Sequence, residues 1–190
     1  MKAISYCTGR KRYAEGRKKI QNYFQGTAKE AVCRSFEQIA RLTSVPYIVR
    51  SSAENGFYSW AGQKGVPAVI IERGGCGLVK RHEIEADIVD VRNILRGLGF
   101  LRDGIQTVTS SQHLIRNAYY ENAPCHGCWH PQKLPGDMVV KNELLGEIRD
   151  IYGELSERIF AKTTGVILYQ TVSLGIEEGT PMVAYGELND

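Results

Sequence analysis

PAVIIERGGCG, residues 67–77, runs Pro67 and four small or branched apolar residues into the carboxylate of Glu72. Arg73 and a glycine-rich turn end the run. An apolar stretch without polar alternation suits a strand covered on both faces, as strands of parallel sheets are. VPYIVRS (45–51) reads as a second strand, started by Pro46 and ending near Arg50. Between them, SSAENGFYSWAGQKG (51–65) reads as a loop passing into a short helix that stops at Gly65. Upstream, Ala31, Val32, Phe36, Ile39 and Leu42 recur at helical spacing, and so do Ile84, Ile88, Val91, Ile94, Leu95 and Leu98 downstream. Strands alternating with helices in this way predict an α/β layer. Glu72 then stands at the carboxyl end of its strand, where open α/β sheets bind ligands. Local chemistry leaves two roles open for it: a structural ion paired with Arg50 or Arg73, or a general base.

Beyond about Gly104 the helical period disappears. HLIRNAYYE, LLGEIRDI, LSERIFA, GVILYQT and PMVAYGE are short strand-like runs between turns, and predict a second, all-β module. The expected division is an α/β domain over 1–103 and a β domain over 104–190. PGDMVVKNELLGEI (135–148) is echoed by LGIEEGTPMVAYGE (174–187), each with a glycine turn, a spacer, a strand and another glycine. Such half-repeats suit a small barrel of interleaved hairpins, like biotinyl and lipoyl carrier domains. A carrier presents its modified lysine at a hairpin tip, and the expected tip, DIYGE (150–154), has none.

The chain has 190 residues, 43% of them hydrophobic and 24% charged, the balance of an ordinary globular protein. No apolar run reaches the roughly 18 to 20 residues that cross a bilayer, and the first residues lack the apolar core of a signal peptide. A cytoplasmic protein without membrane contact is expected. Five cysteines at irregular spacing, Cys7, Cys33, Cys76, Cys125 and Cys128, do not suggest a disulfide framework. Residues 1–25 hold seven of the 24 basic residues and one of the 21 acidic ones, so the rest of the chain is slightly acidic. A basic arm can bind nucleic acid or phosphate. No aromatic platform or binding motif accompanies it, so it reads as the solvated face of a helix and nucleic acid is not expected as a partner.

Three further patterns carry metal or nucleophile chemistry. His82 and Glu85 of HEIE share a helix face at i, i+3, a spacing that can serve one zinc ion, but no third ligand accompanies them. CHGCWH (125–130) brings Cys125, Cys128 and His130 to C-x-x-C spacing, with His126 between and His113 as the one further nitrogen. It lies in an expected loop, without the second pair that a closed site needs. Ser51, Ser52 and Ser59 lack the G-x-S-x-G elbow of a serine nucleophile.

YIVRSSAENGFYSWAGQKGVPAVIIERGGCG, followed by EIEADIVDVRNILRGLGFL, resembles the C-terminal part of the catalytic domain of the succinylglutamate desuccinylase/aspartoacylase family, zinc-dependent deacylases related to the zinc carboxypeptidases. WHPQKLPGDMVVKNELLGEIRDIYGELSERIFAKTTGVILYQTVSLGIEEGTPMVAYG is similar to that family's C-terminal β domain, so the likeness spans residues 30–187. It implies a partial zinc-carboxypeptidase-like sheet followed by a barrel-sandwich. It also implies hydrolysis of an N-acyl amino acid or similar amide, with zinc as cofactor. Glu72 aligns with the family's general base, which takes a proton from metal-activated water and returns one to the leaving amine. Arg50, Tyr58 and Arg73 are the substrate-side candidates. The family's zinc ligands, an H-x-x-E pair and a later histidine, lie upstream of this strand, whereas the four histidines here, His82, His113, His126 and His130, all follow Glu72. The expectation is a truncated chain, inactive alone, with an exposed sheet edge covered by self-association or a partner. The alternative is a non-catalytic binding or assembly module built around the β domain.

Overall fold

The computed structural model describes residues 5–8, 18–25, 30–76, 78, 80–104 and 111–188. Within it, short parallel strand pairs and three helices stand beside a larger body of antiparallel strands, so the class is mixed α/β. The chain divides into two compact units, one of residues 1–10, 21–74 and 78–114, the other of 11–20, 75–77 and 115–190.

The elements that lie wholly or mostly in the first unit are β1 (Ser5–Thr8), β2 (Lys18–Gln25, its first three residues belonging to the other unit), α1 (Glu30–Ala40), β3 (Tyr47–Ser51), α2 (Phe57–Gln63), β4 (Ala68–Gly74), α3 (Arg81–Gly97) and β5 (His113–Ile115). β4 pairs parallel with β1, Ala68 to Ile71 facing Ser5 to Thr8. β3 pairs parallel with the 21–25 part of β2, in the register Gln21 to Tyr47 through Gln25 to Ser51. The order is β1–β4–β2–β3, with β5 beyond β3. Two expectations are corrected here. β2 lies between the strands of Arg50 and Glu72, which are therefore not neighbours. Lys18 and Lys19 begin a strand rather than a helix, because Gln170 and Tyr169 stand opposite them as antiparallel partners, which helical propensity alone could not show. Tyr23 of β2 is buried. The rest of the basic arm, Lys2, Arg10, Lys11, Arg12 and Arg17, lies outside the described residues.

The core of this unit joins Phe36, Ile39 and Ala40 of α1 to Val45, Ile48, Ala68, Val69, Ile71 and Ile94. Burying side chains of this size is worth about 1.5–3 kcal/mol each, which is what holds α1 on the strands. α3 does not follow its hydrophobic pattern. Of the six apolar residues expected on its buried stripe, only Ile94 is fully inside, while Ile84 and Ile88 are 46% and 48% exposed. Asp90 and Asn93 are fully buried as well, Asp90 taking the Arg73 guanidinium and Asn93 Oδ1 accepting from Arg96.

The second unit contains β6 (Ala118–Asn122), β7 (Gly127–Pro131), β8 (Met138–Val139), β9 (Leu144–Arg149), β10 (Leu155–Phe160), β11 (Gly165–Gln170), β12 (Gly175–Ile176) and β13 (Pro181–Gly186). Antiparallel pairing gives two layers, β6–β13–β11–β8 and β10–β9–β7–β12. Advancing the first four strands by four positions converts one layer into the other, so each layer takes two strands from each half of the sequence. The half-repeat is visible in the turns as well. Asn142 (φ 68°) and Gly179 (φ 81°) both take the left-handed conformation. The Asn142 N–H donates to Ala161 O and the Gly179 N–H to Ala123 O, at 2.7 and 2.8 Å. Ala161 and Ala123 return a bond to Glu143 O and Thr180 O, both at 2.8 Å. Between the layers lie Trp129, Leu145, Ile148, Ile167, Met182 and Tyr185. Gly146 is obligatory there: a Cβ on it would stand 2.5 Å from Trp129 Cη2 and 2.7 Å from His130 O. Among the described residues no helix is long and apolar enough to cross a membrane.

Candidate functional site

Glu72 lies on β4 beyond its last registered pair with β1, and is half-buried. Strand alternation puts it on the face opposite Arg73. Immediately after it the backbone bends through Gly74 (φ 80°) and Cys76 (φ 58°). A non-glycine residue there is uncommon and costs roughly 1–2 kcal/mol, so the turn following Glu72 is held by its surroundings.

Arg73 is tied to structure. Its guanidinium donates to Asp87, to Asp90 Oδ2 at 2.8 Å and to Ser44 Oγ at 2.9 Å. Asp90 Oδ1 accepts the Ser44 N–H at 2.8 Å, closing a ring of polar contacts between β4, α3 and the 43–46 turn. Burial pushes the Asp87 carboxyl up from its ordinary value, and the adjacent Arg73 only partly opposes this. Glu83, at the start of α3, accepts the Lys80 N–H at 3.3 Å and fills the space beside Gly74.

The substrate-side candidates are separately placed. Arg50 is exposed near the end of β3. Tyr58, on α2, is half-buried against the core, and its hydroxyl donates to Ser51 Oγ at 2.7 Å. The same Ser51 oxygen accepts the Ala53 N–H at 3.1 Å, so Ser51 is an anchor for the loop after β3. Ser52 is exposed in that loop, and Ser59 is fully buried, its hydroxyl without a partner. Sequence reading missed the Ser44–Asp87–Asp90 cluster around Arg73. The signal for it was present as Asp87 and Asp90 at i, i+3, which puts two carboxylates on one helix face.

The metal candidates do not converge. His82 and Glu85 are both exposed, and Glu85 Oε1 accepts Arg81 Nε–H at 2.8 Å. CHGCWH is not a loop, as expected from sequence, because Gly127–Pro131 forms β7 between β9 and β12. Its backbone is drawn into the sheet by pairing on both sides. Trp129 points into the core and Cys125 packs against that core, whereas Cys128 and His130 alternate to the opposite face of β7. Both cysteines are free thiols. Among the described residues there is no group of three or more His, Cys, Asp or Glu side chains that can hold a metal ion.

No family model matches the sequence, and no curated protein matches it. Solved structures do. The product-bound ectoine utilization protein EutE (DoeB) from Ruegeria pomeroyi superposes with a TM-score of 0.82 at 16% identity, over 96% of this chain and 57% of its own. A succinylglutamate desuccinylase/aspartoacylase from Rhodobacter sphaeroides gives 0.79 at 16% identity, over 100% and 58%. An aspartoacylase family protein from Mesorhizobium loti gives 0.70 at 15% identity, over 93% and 55%. This chain thus spans somewhat over half the length of the structures it matches, and nearly all of it finds a counterpart in them. Its fold is that of part of a succinylglutamate desuccinylase/aspartoacylase protein.

Proposed function

We propose that the chain is part of an amide-hydrolysing deacylase acting on an N-acylated amino acid or a related small amide, with Glu72 as its proton acceptor. The supporting observation is the fold match to the Rhodobacter succinylglutamate desuccinylase/aspartoacylase over the whole chain. On this reading the first unit is a partial zinc-carboxypeptidase-like sheet, and the second a barrel-sandwich of the biotinyl and lipoyl type. In the reaction a water oxygen adds to the amide carbonyl while its proton passes to the Glu72 carboxylate. The C–N bond then breaks, and the same proton goes to the departing nitrogen. Tyr58 is held by Ser51, and with Arg50 would contact the substrate's polar end. Arg73 orients β4.

The zinc that the resemblance implies does not fit the donors of this chain. His82 and Glu85 face solvent, the CHGCWH donors split across β7, and all four histidines follow Glu72. The ligands are therefore expected outside these 190 residues, and the chain alone is expected to be inactive.

The test is to purify the tagged chain both alone and under native conditions with whatever accompanies it. Each preparation is assayed for metal content and for hydrolysis of N-succinyl and N-acetyl amino acids. The isolated chain should show no turnover. Accompanied material should hydrolyse the amide, with kcat lowered about 100-fold or more by Glu72→Gln, the usual contribution of a general base. Turnover indifferent to Glu72→Gln removes the catalytic reading. Glu72-dependent turnover with stoichiometric zinc on the isolated chain removes the incompleteness.

One observation favours a second reading, a binding or assembly module built on the β unit. The β9–β10 turn is fixed by Asp150 Oδ1, which accepts the Tyr152 and Glu154 N–H groups at 2.8 and 2.9 Å, yet it holds Ile151 and Tyr152 more than 80% exposed. Removing residues 105–190 abolishes partner capture on that reading. On the deacylase reading the same deletion chiefly alters substrate access.

A further inference from the structure

The hydroxyl pair of Ser51 and Tyr58 has a direction. Ser51, 6% exposed, closes β3, and its oxygen accepts the Ala53 N–H at 3.1 Å. The Tyr58 hydroxyl stands 2.7 Å from the same oxygen. Of two such groups a phenol is the stronger donor and an alkyl hydroxyl the stronger acceptor, because the ring draws charge from the phenolic oxygen. The proton in this bond therefore belongs to Tyr58 and points at Ser51. A hydroxyl has one proton and two acceptor lone pairs. With that proton engaged, the Tyr58 oxygen offers an incoming molecule lone pairs only.

The phenol is also held in place. Its ring packs against the core of the first unit. The loop leading to it is tied twice, by Ser51 to Ala53 and by the Gln63 amide, which donates to Glu54 O at 2.8 Å. Tyr58 is nevertheless only half-buried, and residues 52–56 beside it are exposed. β3 and β4 are joined by one helix, the connection that parallel strands require. Because α2 returns the chain from the end of β3 to the start of β4, its first turn lies at the end of the sheet where β4 closes after Glu72.

Among the polar groups of an N-acyl amino acid, the carboxylate and the acyl carbonyl have no proton to give, whereas the amide N–H does. As the C–N bond breaks, that nitrogen gains a proton and becomes a better donor. A fixed acceptor beside it then binds more strongly along the reaction, which is the kind of contact that accelerates it. We infer that Tyr58 accepts a hydrogen bond from the scissile amide nitrogen, and that Ser51 is a positioning residue that keeps the phenol an acceptor. This rests on the deacylase reading and narrows its substrates to secondary amides, disfavouring esters of the same shape.

The test takes the N-succinyl or N-acetyl amino acid that turns over fastest in the accompanied material and compares it with its O-acyl hydroxy-acid counterpart, in which oxygen replaces the N–H. The readout is kcat/KM for the amide divided by kcat/KM for the ester, since damage to the fold lowers both alike and leaves the ratio unchanged. Tyr58→Phe should lower the ratio about tenfold, the effect of one hydrogen bond. Ser51→Ala should lower it about fivefold, and Ser51→Thr, which keeps the hydroxyl, should leave it within about twofold of the wild type. Adding Ser51→Ala to Tyr58→Phe should lower it no further, because Ser51 acts through the phenol. A ratio unmoved by Tyr58→Phe, in material that turns over, overturns the inference and leaves the deacylase reading standing. So does a Ser51→Ala effect that is as large without the phenol as with it. Absence of turnover in every preparation removes the deacylase reading, and this inference with it.

Discussion

At the scale of single residues, Glu72 and Arg73 show how two adjacent charges on one strand acquire different work. Arg73 projects to the α3 side, where Asp90 is fully buried and only 15% of the guanidinium side chain is exposed. Removing one member of a buried pair costs about 3–5 kcal/mol when the other's charge is left without compensation, but Asp87 still faces Arg73 when Asp90 is gone. Asp90→Ala should therefore destabilise the first unit by about 1–3 kcal/mol, seen as a lower urea midpoint. Arg73→Lys should also destabilise it, because an ammonium cannot reach Asp87, Asp90 and Ser44 together. If Arg73→Lys left stability unchanged and affected only substrate affinity, the structural role would be wrong. The sequence showed that a charge pair ended the strand, but not which charge was structural. That choice depends on the partners Ser44 and Asp90, 29 residues before and 17 after Arg73, which no local pattern connects.

At the scale of elements, legibility followed local pairing. VPYIVRS, VPAVIIE and the helix after Glu72 were readable because their apolar runs and stop signals are continuous in sequence. β7 was not, since CHGCWH alternates cysteine and histidine around a single tryptophan and becomes a strand only between β9 and β12. β2 was hidden for the same reason, its pairing with β3 being what makes it a strand. The face of α3 was read from hydrophobicity and came out turned, because a buried ion cluster outweighs the isoleucine stripe. The half-repeat, by contrast, was legible and is realised bond for bond in its turns. Gly179 has open space where a Cβ would stand, so Gly179→Ala isolates the conformational cost of φ 81°. It should destabilise the second unit by about 1 kcal/mol. Asn142→Gly at the related turn should be neutral or slightly stabilising in the same denaturation experiment, since glycine takes that φ without strain.

At the scale of the whole molecule, the carboxylates set an acid response. Hydrogen bonds from Arg149 and Arg158 hold Glu147 below the ordinary 4.5. Lys133 and the Val140 N–H do the same for Glu143, and Asn117, Tyr119 and Thr163 for Glu187. A carboxylate depressed in the folded state contributes stability above its unfolded value and loses it as pH falls through the folded one. Asp87 has the opposite sign: raised by burial, it contributes below its unfolded value and loses that contribution as pH rises. These three glutamates all belong to the second unit, and Asp87 to the first. Acid titration should therefore weaken the second unit below about pH 4.5, reported by fluorescence of the buried Trp129. Glu147→Gln should flatten that dependence, and an unchanged profile would remove Glu147 from the account.

The exchange of strands between the two halves of the second unit also governs when it can form. β6 waits for β13 and β8 for β11, whereas β7, β9 and β10 pair with one another before either of those partners is made. On a ribosome β6 and β8 leave the exit tunnel with open edges, while β7 and β9 can already pair. Closure of this unit waits until Gly186 has emerged, and until then β6 lacks its partner strand.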